Sequence, residues 1–186
     1  RRGRMSIVSE LVALYASPPA HRLYDEAVTE LEHGLQCAAL ATRAGSTDAL
    51  TAAALLHDVG HLVLDDNVTL ADDLAVDHGH EAVGARFLAV GFPPRVTAPI
   101  ALHVAAKRYL CATEPSYFKS LSPSSVRSLR LQGGPLSARD ASEFERHPGF
   151  YDAVAVRRWD DLGKVSGLDL GRFDRYIPLL ESLARA

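Results

Sequence analysis

An all-α fold is what this chain of 186 residues predicts, on three observations. Alanine and leucine, both strong helix formers, are abundant. No long run alternates β-branched with polar residues, the pattern a half-buried strand would leave. Helix start and stop signals recur along the chain. The length suits one compact domain with a sizeable core, taken as residues 5–186, and a second domain is not expected. Arg1 to Arg4 precede Met5 and read as an added remnant or an upstream extension outside the fold.

The elements follow in order. Ile7, Leu11, Leu14 and Tyr15 give residues 6–17 the spacing of a first helix, which Pro18 and Pro19 end. A loop then runs to Thr29. Thr29 and Glu32 make a capping box that opens a helix through Ala44, with Gly45 where a left-handed cap residue belongs. Ser46 or Thr47 caps a third, alanine-rich helix from Asp48 to about Asp58, which Gly60 breaks. Residues 61–77 are rich in Asp and Asn with little amphipathic period, and a loop of that length is read as part of a lid. His80 to Val90 form a helix ended by Gly91. Pro93 and Pro94 start the long segment that carries His103, Lys107 and Arg108, and Pro99 is expected to bend it. After a turn at Glu114 and Pro115, Ser122 and Pro123 open a short helix, and Gln132 to Pro135 make a tight corner. Ser137 and Asp140 start a helix to Arg146, His147 to Gly149 interrupt, and Phe150 to Lys164 continue. Leu170 to Ala184 close the fold.

Charge and composition exclude several classes of function. A net charge of −3 gives no basic footprint for nucleic acid, so any anionic ligand has to be met locally. Two cysteines, Cys37 and Cys111, are too few for a disulfide framework and lack zinc-site spacing. They read as buried thiols of a cytoplasmic protein. No stretch has the length of an apolar membrane span, and no secretory leader is visible. A monomer or small homo-oligomer is expected.

The chemistry is concentrated in ALLHDVGH. An adjacent histidine and carboxylate, His57 and Asp58, inside an otherwise apolar segment need a partner. A divalent metal that accepts both imidazole nitrogen and carboxylate oxygen, such as iron, manganese or zinc, supplies one. Further donors stand on other segments: His33 before the pair, His78 or His80 and His103 after it, and Asp160 near the end of a late helix. A single helical histidine is more often a core or surface residue, and His21 and His147 stay in that class.

The order H, HD, H, H, D resembles the HD-domain superfamily, and within it the members that hold two metals. That resemblance implies an HD-domain helical bundle. It also favours His80 over His78, since HEAVGA matches the superfamily's H-x-x-x-G-A. Adjacent helical residues point about 100° apart, so His57 and Asp58 cannot present parallel side chains to one metal as an i,i+4 pair would. A carboxylate has two oxygens, and the economical arrangement has Asp58 bridging. His33, His57 and Asp160 then complete one metal, while His80 and His103 belong to the other. Open positions on both metals mark a catalytic site. Lys107 lies one helical turn after His103, and Arg157 lies three residues before Asp160. Two cations on those faces suggest an anionic substrate, phosphate or phosphonate. Arg108 and Arg158 are assigned to solvent.

A sharper resemblance rests on YDEAVTELEHGLQCA, ALLHDVGH, HEAVGARFL, SPSSVRSLRLQGGPLS and AVRRWDDLGK, from Tyr24 to Lys164. These strings are similar to the PhnZ-type oxygenases, HD-domain enzymes that cleave the carbon–phosphorus bond of 1-hydroxyphosphonates. The resemblance implies a mixed-valent Fe(II)/Fe(III) pair, dioxygen as co-substrate, and a small anionic phosphonate converted to a carboxylate and inorganic phosphate. It puts His33, His57, Asp58, His80, His103 and Asp160 on ligand positions, and His61, Lys107, Arg157 and Ser125 on phosphonate-contacting ones. Tyr24 resembles a tyrosine that occupies the vacant iron position until substrate arrives, and Glu26 a glutamate that receives the substrate's ammonium group. The stretch from Tyr24 to His33 is one residue shorter than the family's, with Asp25 where a glycine is usual. A hydrolase of phosphate esters using the same cations, and a non-enzymatic metal-sensing module, are the competing readings.

Overall fold

Caps written into the sequence set the helix boundaries in the computed structural model, which describes residues 5–23, 27–64 and 79–185. Tyr24, Asp25, Glu26, His78 and residues 65–77 of the expected lid lie outside the described residues. Helix α1 (Ile7–Ala16) starts at Ser6, whose hydroxyl accepts from the Ser9 amide, and it ends before the two prolines. Where a loop was expected, Pro18–His21 form a 3-10 turn. The capping box then opens α2 (Glu30–Arg43): Thr29 Oγ1 accepts from the Glu32 amide and Glu32 Oε2 from the Thr29 amide, at 3.2 and 2.8 Å. Gly45, at φ 71°, takes the left-handed position beyond it.

Thr47 caps α3 (Asp48–Leu56), and here the chain departs from its local signals. The helix stops at Leu56, His57 and Asp58 form a turn, and Gly60 lies inside a further helix, α4 (Val59–Leu64). Gly60 is no breaker. A Cβ there would stand 1.9 Å from the His80 carbonyl oxygen, so the residue is needed for close approach to α5 (His80–Leu88). Gly79, at φ 61°, turns the chain into α5. Helix α6 (Pro94–Thr113) runs through Pro99, which forgoes one bond to the preceding turn. Short helices α7 (Tyr117–Ser120), α8 (Pro123–Leu131) and α9 (Ala138–Glu145) follow, with Gly133 and Gly134 at positive φ in the corner between the last two. Helix α10 (Phe150–Leu162) ends two residues before the expected Lys164, and a 3-10 turn (Phe173–Tyr176) leads into α11 (Ile177–Leu183). The described residues contain no strand, only one isolated antiparallel bridge between Leu23 and Thr29.

Helix α3 is buried on every side except at Asp48, as befits a helix apolar all round. Helices α2, α6 and α10 pack directly on it, and α2, α6 and α10 also carry His33, His103 and Asp160. The main core surrounds it with Leu11, Leu55, Leu56, Leu88, Phe92, Ile100 and Leu180, each at most 1% exposed. Small residues let the backbones approach. A Cβ on Gly34 of α2 would stand 2.6 Å from the Leu55 carbonyl oxygen of α3.

Gly34→Ala therefore sets helix propensity, which favours alanine by about 1 kcal/mol, against overpacking, which costs about 1–3 kcal/mol. The obstructing atom is backbone, so overpacking should win and lower the Tm by several degrees in thermal unfolding of the metal-free chain. A higher Tm, the outcome of propensity alone, would show that α2 and α3 separate without penalty.

Candidate metal centre

Six donors from four helices and one turn converge at the end of α3. Asp58 stands in the middle. Its Oδ2 lies 3.3 Å from His57 Nε2 and 3.6 Å from His33 Nε2, while its Oδ1 lies 3.3 Å from His80 Nε2 and 3.5 Å from His103 Nε2. Asp160 closes the first group, with Oδ1 3.4 Å from His33 Nε2 and Oδ2 3.8 Å from His57 Nε2. The Nε2 atoms of His33 and His57 are 3.2 Å apart, and so are those of His80 and His103. The donors thus fall into two groups that share one carboxylate.

Backbone carbonyls fix the rings. His33 Nδ1 donates to Gly163 O at 2.8 Å, His57 Nδ1 to Ala54 O at 2.9 Å and His103 Nδ1 to Ile100 O at 2.7 Å. A carbonyl only accepts, so in the neutral rings Nε2 carries the lone pair and aims it at the centre. Lone pairs this close repel unless a cation or a proton stands between them. Burial alone would lower the His57 pKa, but the Asp58 and Asp160 carboxylates outweigh it and raise it to about 9, so a proton takes that place in the metal-free chain. Burial would raise Asp58 and Asp160, yet His57 and His80 hold the first well below the carboxylate range, and Arg157 and His33 hold the second there. Asp58 Oδ1 is buried with no hydrogen-bond partner. Convergent imidazole nitrogens, ionised carboxylates and braced rings suit a borderline divalent metal.

The anion-binding candidates lie beside this centre. Lys107, 3% exposed, donates to Ser128 Oγ at 2.8 Å, and burial together with the Arg157 charge lowers its pKa to about 8. Arg157 donates through Nη1 to Asp160 Oδ2, through Nη2 to Asp161 Oδ1 and to Ser125 Oγ at 3.4 Å, and through Nε to Tyr117 Oη at 2.9 Å. One guanidinium therefore links Asp160, a donor of the centre, to Ser125. His61 stacks on His80 with ring centroids 4.1 Å apart, and burial and the His80 charge push its pKa down to about 3, which leaves it neutral.

Several contributors escaped sequence reasoning. Lys164 Nζ lies 3.3 Å from Ser125 Oγ and 3.8 Å from Asp160 Oδ1, and Asp161 braces Arg157. The spacing of four residues in both pairs was the available signal. Tyr117 and Ser128 reach Arg157 and Lys107 from distant helices and left no local trace. Glu30 is a buried carboxyl whose pKa burial and the Asp58 charge push well up. Arg108, assigned to solvent, instead donates to Gly134 O at 2.8 Å and braces the diglycine corner. Arg158 pairs with Glu114 and is 46% exposed at its side chain, as expected of a solvent-facing residue. Cys37 is fully buried, its thiol donates to Trp159 O at 3.4 Å, and burial pushes its pKa well up, which keeps it protonated. No helix among the described residues is long and apolar enough to cross a membrane.

No family model matches the chain. A hydroxymethylphosphonate dioxygenase of Gimesia maris is 48% identical over 159 residues, 86% of this chain and 79% of that protein. A glycine-betaine-forming [1-hydroxy-2-(trimethylamino)ethyl]phosphonate dioxygenase of Leisingera caerulea is 40% identical over 85% of this chain and 80% of its own length. An uncharacterised protein of Acanthamoeba polyphaga mimivirus is 32% identical over 93% of this chain.

A metal that binds only the folded chain stabilises it by about 2.7 kcal/mol at a hundredfold excess over its Kd. Anaerobic Fe(II) or Mn(II) should therefore raise the Tm by several degrees, and Asp58→Ala should abolish the rise. A Tm indifferent to either metal in the intact chain would sink the metal centre.

Proposed function

The chain belongs to the PhnZ-type family of hydroxyphosphonate dioxygenases, and on that premise we propose that it oxidatively cleaves the carbon–phosphorus bond of a small 1-hydroxyphosphonate at the Asp58 centre. The reaction balances with one dioxygen: the hydroxyphosphonate loses its C1 hydrogen and its C–P bond, and a carboxylic acid and phosphoric acid result. The observation that carries the site assignment is the position of Asp58, one oxygen toward each histidine pair.

In this reading His33, His57, Asp58 and Asp160 hold one iron, and Asp58, His80 and His103 the other. An Fe(II)/Fe(III) pair would supply dioxygen activation and an anchor for the substrate hydroxyl. The chain's own side chains do the rest. Lys107 and Arg157 receive the phosphonate oxygens, with Ser125 donating a further hydrogen bond and neutral His61 supplying a polar contact without adding charge. Because Arg157 is bonded to Asp160, phosphonate binding and the first metal group adjust together. Tyr24 and Glu26, assigned by sequence alone, would guard the vacant metal position and receive a cationic side group.

Fe(II)-reconstituted protein should release phosphate from hydroxymethylphosphonate and from 2-amino-1-hydroxyethylphosphonate or its N-methylated relatives, consuming one dioxygen per phosphate. Glu26→Gln should lower kcat/KM for the cationic substrates and spare the neutral one. Phosphate release that continues without dioxygen would instead identify a hydrolase.

The Lys107 pKa near 8 gives binding a pH dependence of definite sign. Below pH 8 the ammonium is protonated and attracts the phosphonate, and above it the charge is lost. The Kd for inorganic phosphate should rise by up to about tenfold per pH unit above 8, and should stay level in Lys107→Arg, whose guanidinium keeps its proton. A wild-type profile as flat as the arginine variant's would remove Lys107 from the pocket.

A further inference from the structure

The histidines of the centre are not braced alike. His57, in the turn that ends α3, and His103, within α6, each donate Nδ1 to the carbonyl three residues earlier, Ala54 and Ile100. Their rings are set as soon as those local segments form. His33 instead donates to Gly163, 130 residues away on an irregular segment beyond α10. Something else has to hold that segment in place.

Gln36 stands three residues after His33, on the same face of α2, and is 3% exposed. Its amide grips one residue from both sides: Nε2 donates to Val165 O at 2.8 Å, and Oε1 accepts from the Val165 amide at 2.9 Å. Gly163 lies so close to α2 that a Cβ on it would stand 2.6 Å from Cys37 Sγ. Between the two points of attachment sits Lys164, whose ammonium reaches Ser125 and Asp160. We propose that Gln36 is a positioning residue: by clamping Val165 it docks residues 163–165 on α2, aims the His33 imidazole at the metal pair and places the Lys164 ammonium in the anion pocket. This deepens the function proposed above and rests on its metal assignment.

The test uses the full chain loaded anaerobically with Fe(II), a colorimetric ferrous chelator to time release, and titration with inorganic phosphate. Gln36→Met keeps the side-chain length and removes both hydrogen bonds. Second-sphere changes of this kind alter metal affinity about ten- to a hundredfold, so one iron of the pair should leave faster by that order while the other stays close to the wild-type rate. Phosphate affinity should fall several-fold through Lys164. Val165→Pro deletes the partner N–H at a residue 53% exposed, without touching the interior of α2, and should reproduce the selective release if Gln36→Met does not fold. Release of both irons at wild-type rates in the folded variants, or equal acceleration of both, would overturn the clamp. A wild-type chain that takes up no iron pair would overturn the metal reading instead, and the phosphate titration alone would then decide whether Gln36 places Lys164.

Discussion

Mutual repulsion among like groups is the constraint on which this fold turns. Four imidazole nitrogens and two carboxylates are held within a few ångströms of one another in a buried space, an arrangement that needs a cation or a proton between them. The remainder of the molecule supplies the restoring force. Helix α3, apolar on every face, is gripped by α2, α6 and α10, and the turn that follows it carries His57 and Asp58 into the middle of the other donors. Glycines at Gly34 and Gly60 remove the side chains that would keep the neighbouring backbones apart.

The same economy extends outward. Arg157 neutralises Asp160 and Asp161, leans on Tyr117 and reaches Ser125, so its charge is already paired within the fold. Lys107 adapts in another way, by holding its proton less firmly than a lysine in water. Charge in the pocket is thus stored in two forms. One is fixed and spoken for, and the other responds to its surroundings.

What the sequence disclosed was whatever is local or chemically forced. The capping box at Thr29 and Glu32, the cap at Ser137 and the diglycine corner are all local rules, and the structure has each of them. Asp58 sets one oxygen toward each histidine pair, and the two oxygens of a carboxylate were the signal for that placement. Gly60 was misread because its purpose is a contact with the carbonyl of His80, twenty residues away, which leaves no local pattern. Without that contact, α4 looks like the start of a loop. Arg108 was given to solvent because its acceptor is a carbonyl in a distant corner, and Gln36 was passed over because a lone glutamine on a helix carries no chemistry until its partner is known.

The dependence of His33 on Gly163 also orders events during synthesis. Donors from α2 through α6 leave the ribosome well before Asp160 and the segment that braces His33, so the first donor group is incomplete until that segment is made. A nascent or truncated chain ending before that segment presents the histidines without their closing carboxylate. Metal capture by the complete set would accordingly wait until residues 160–165 have been made.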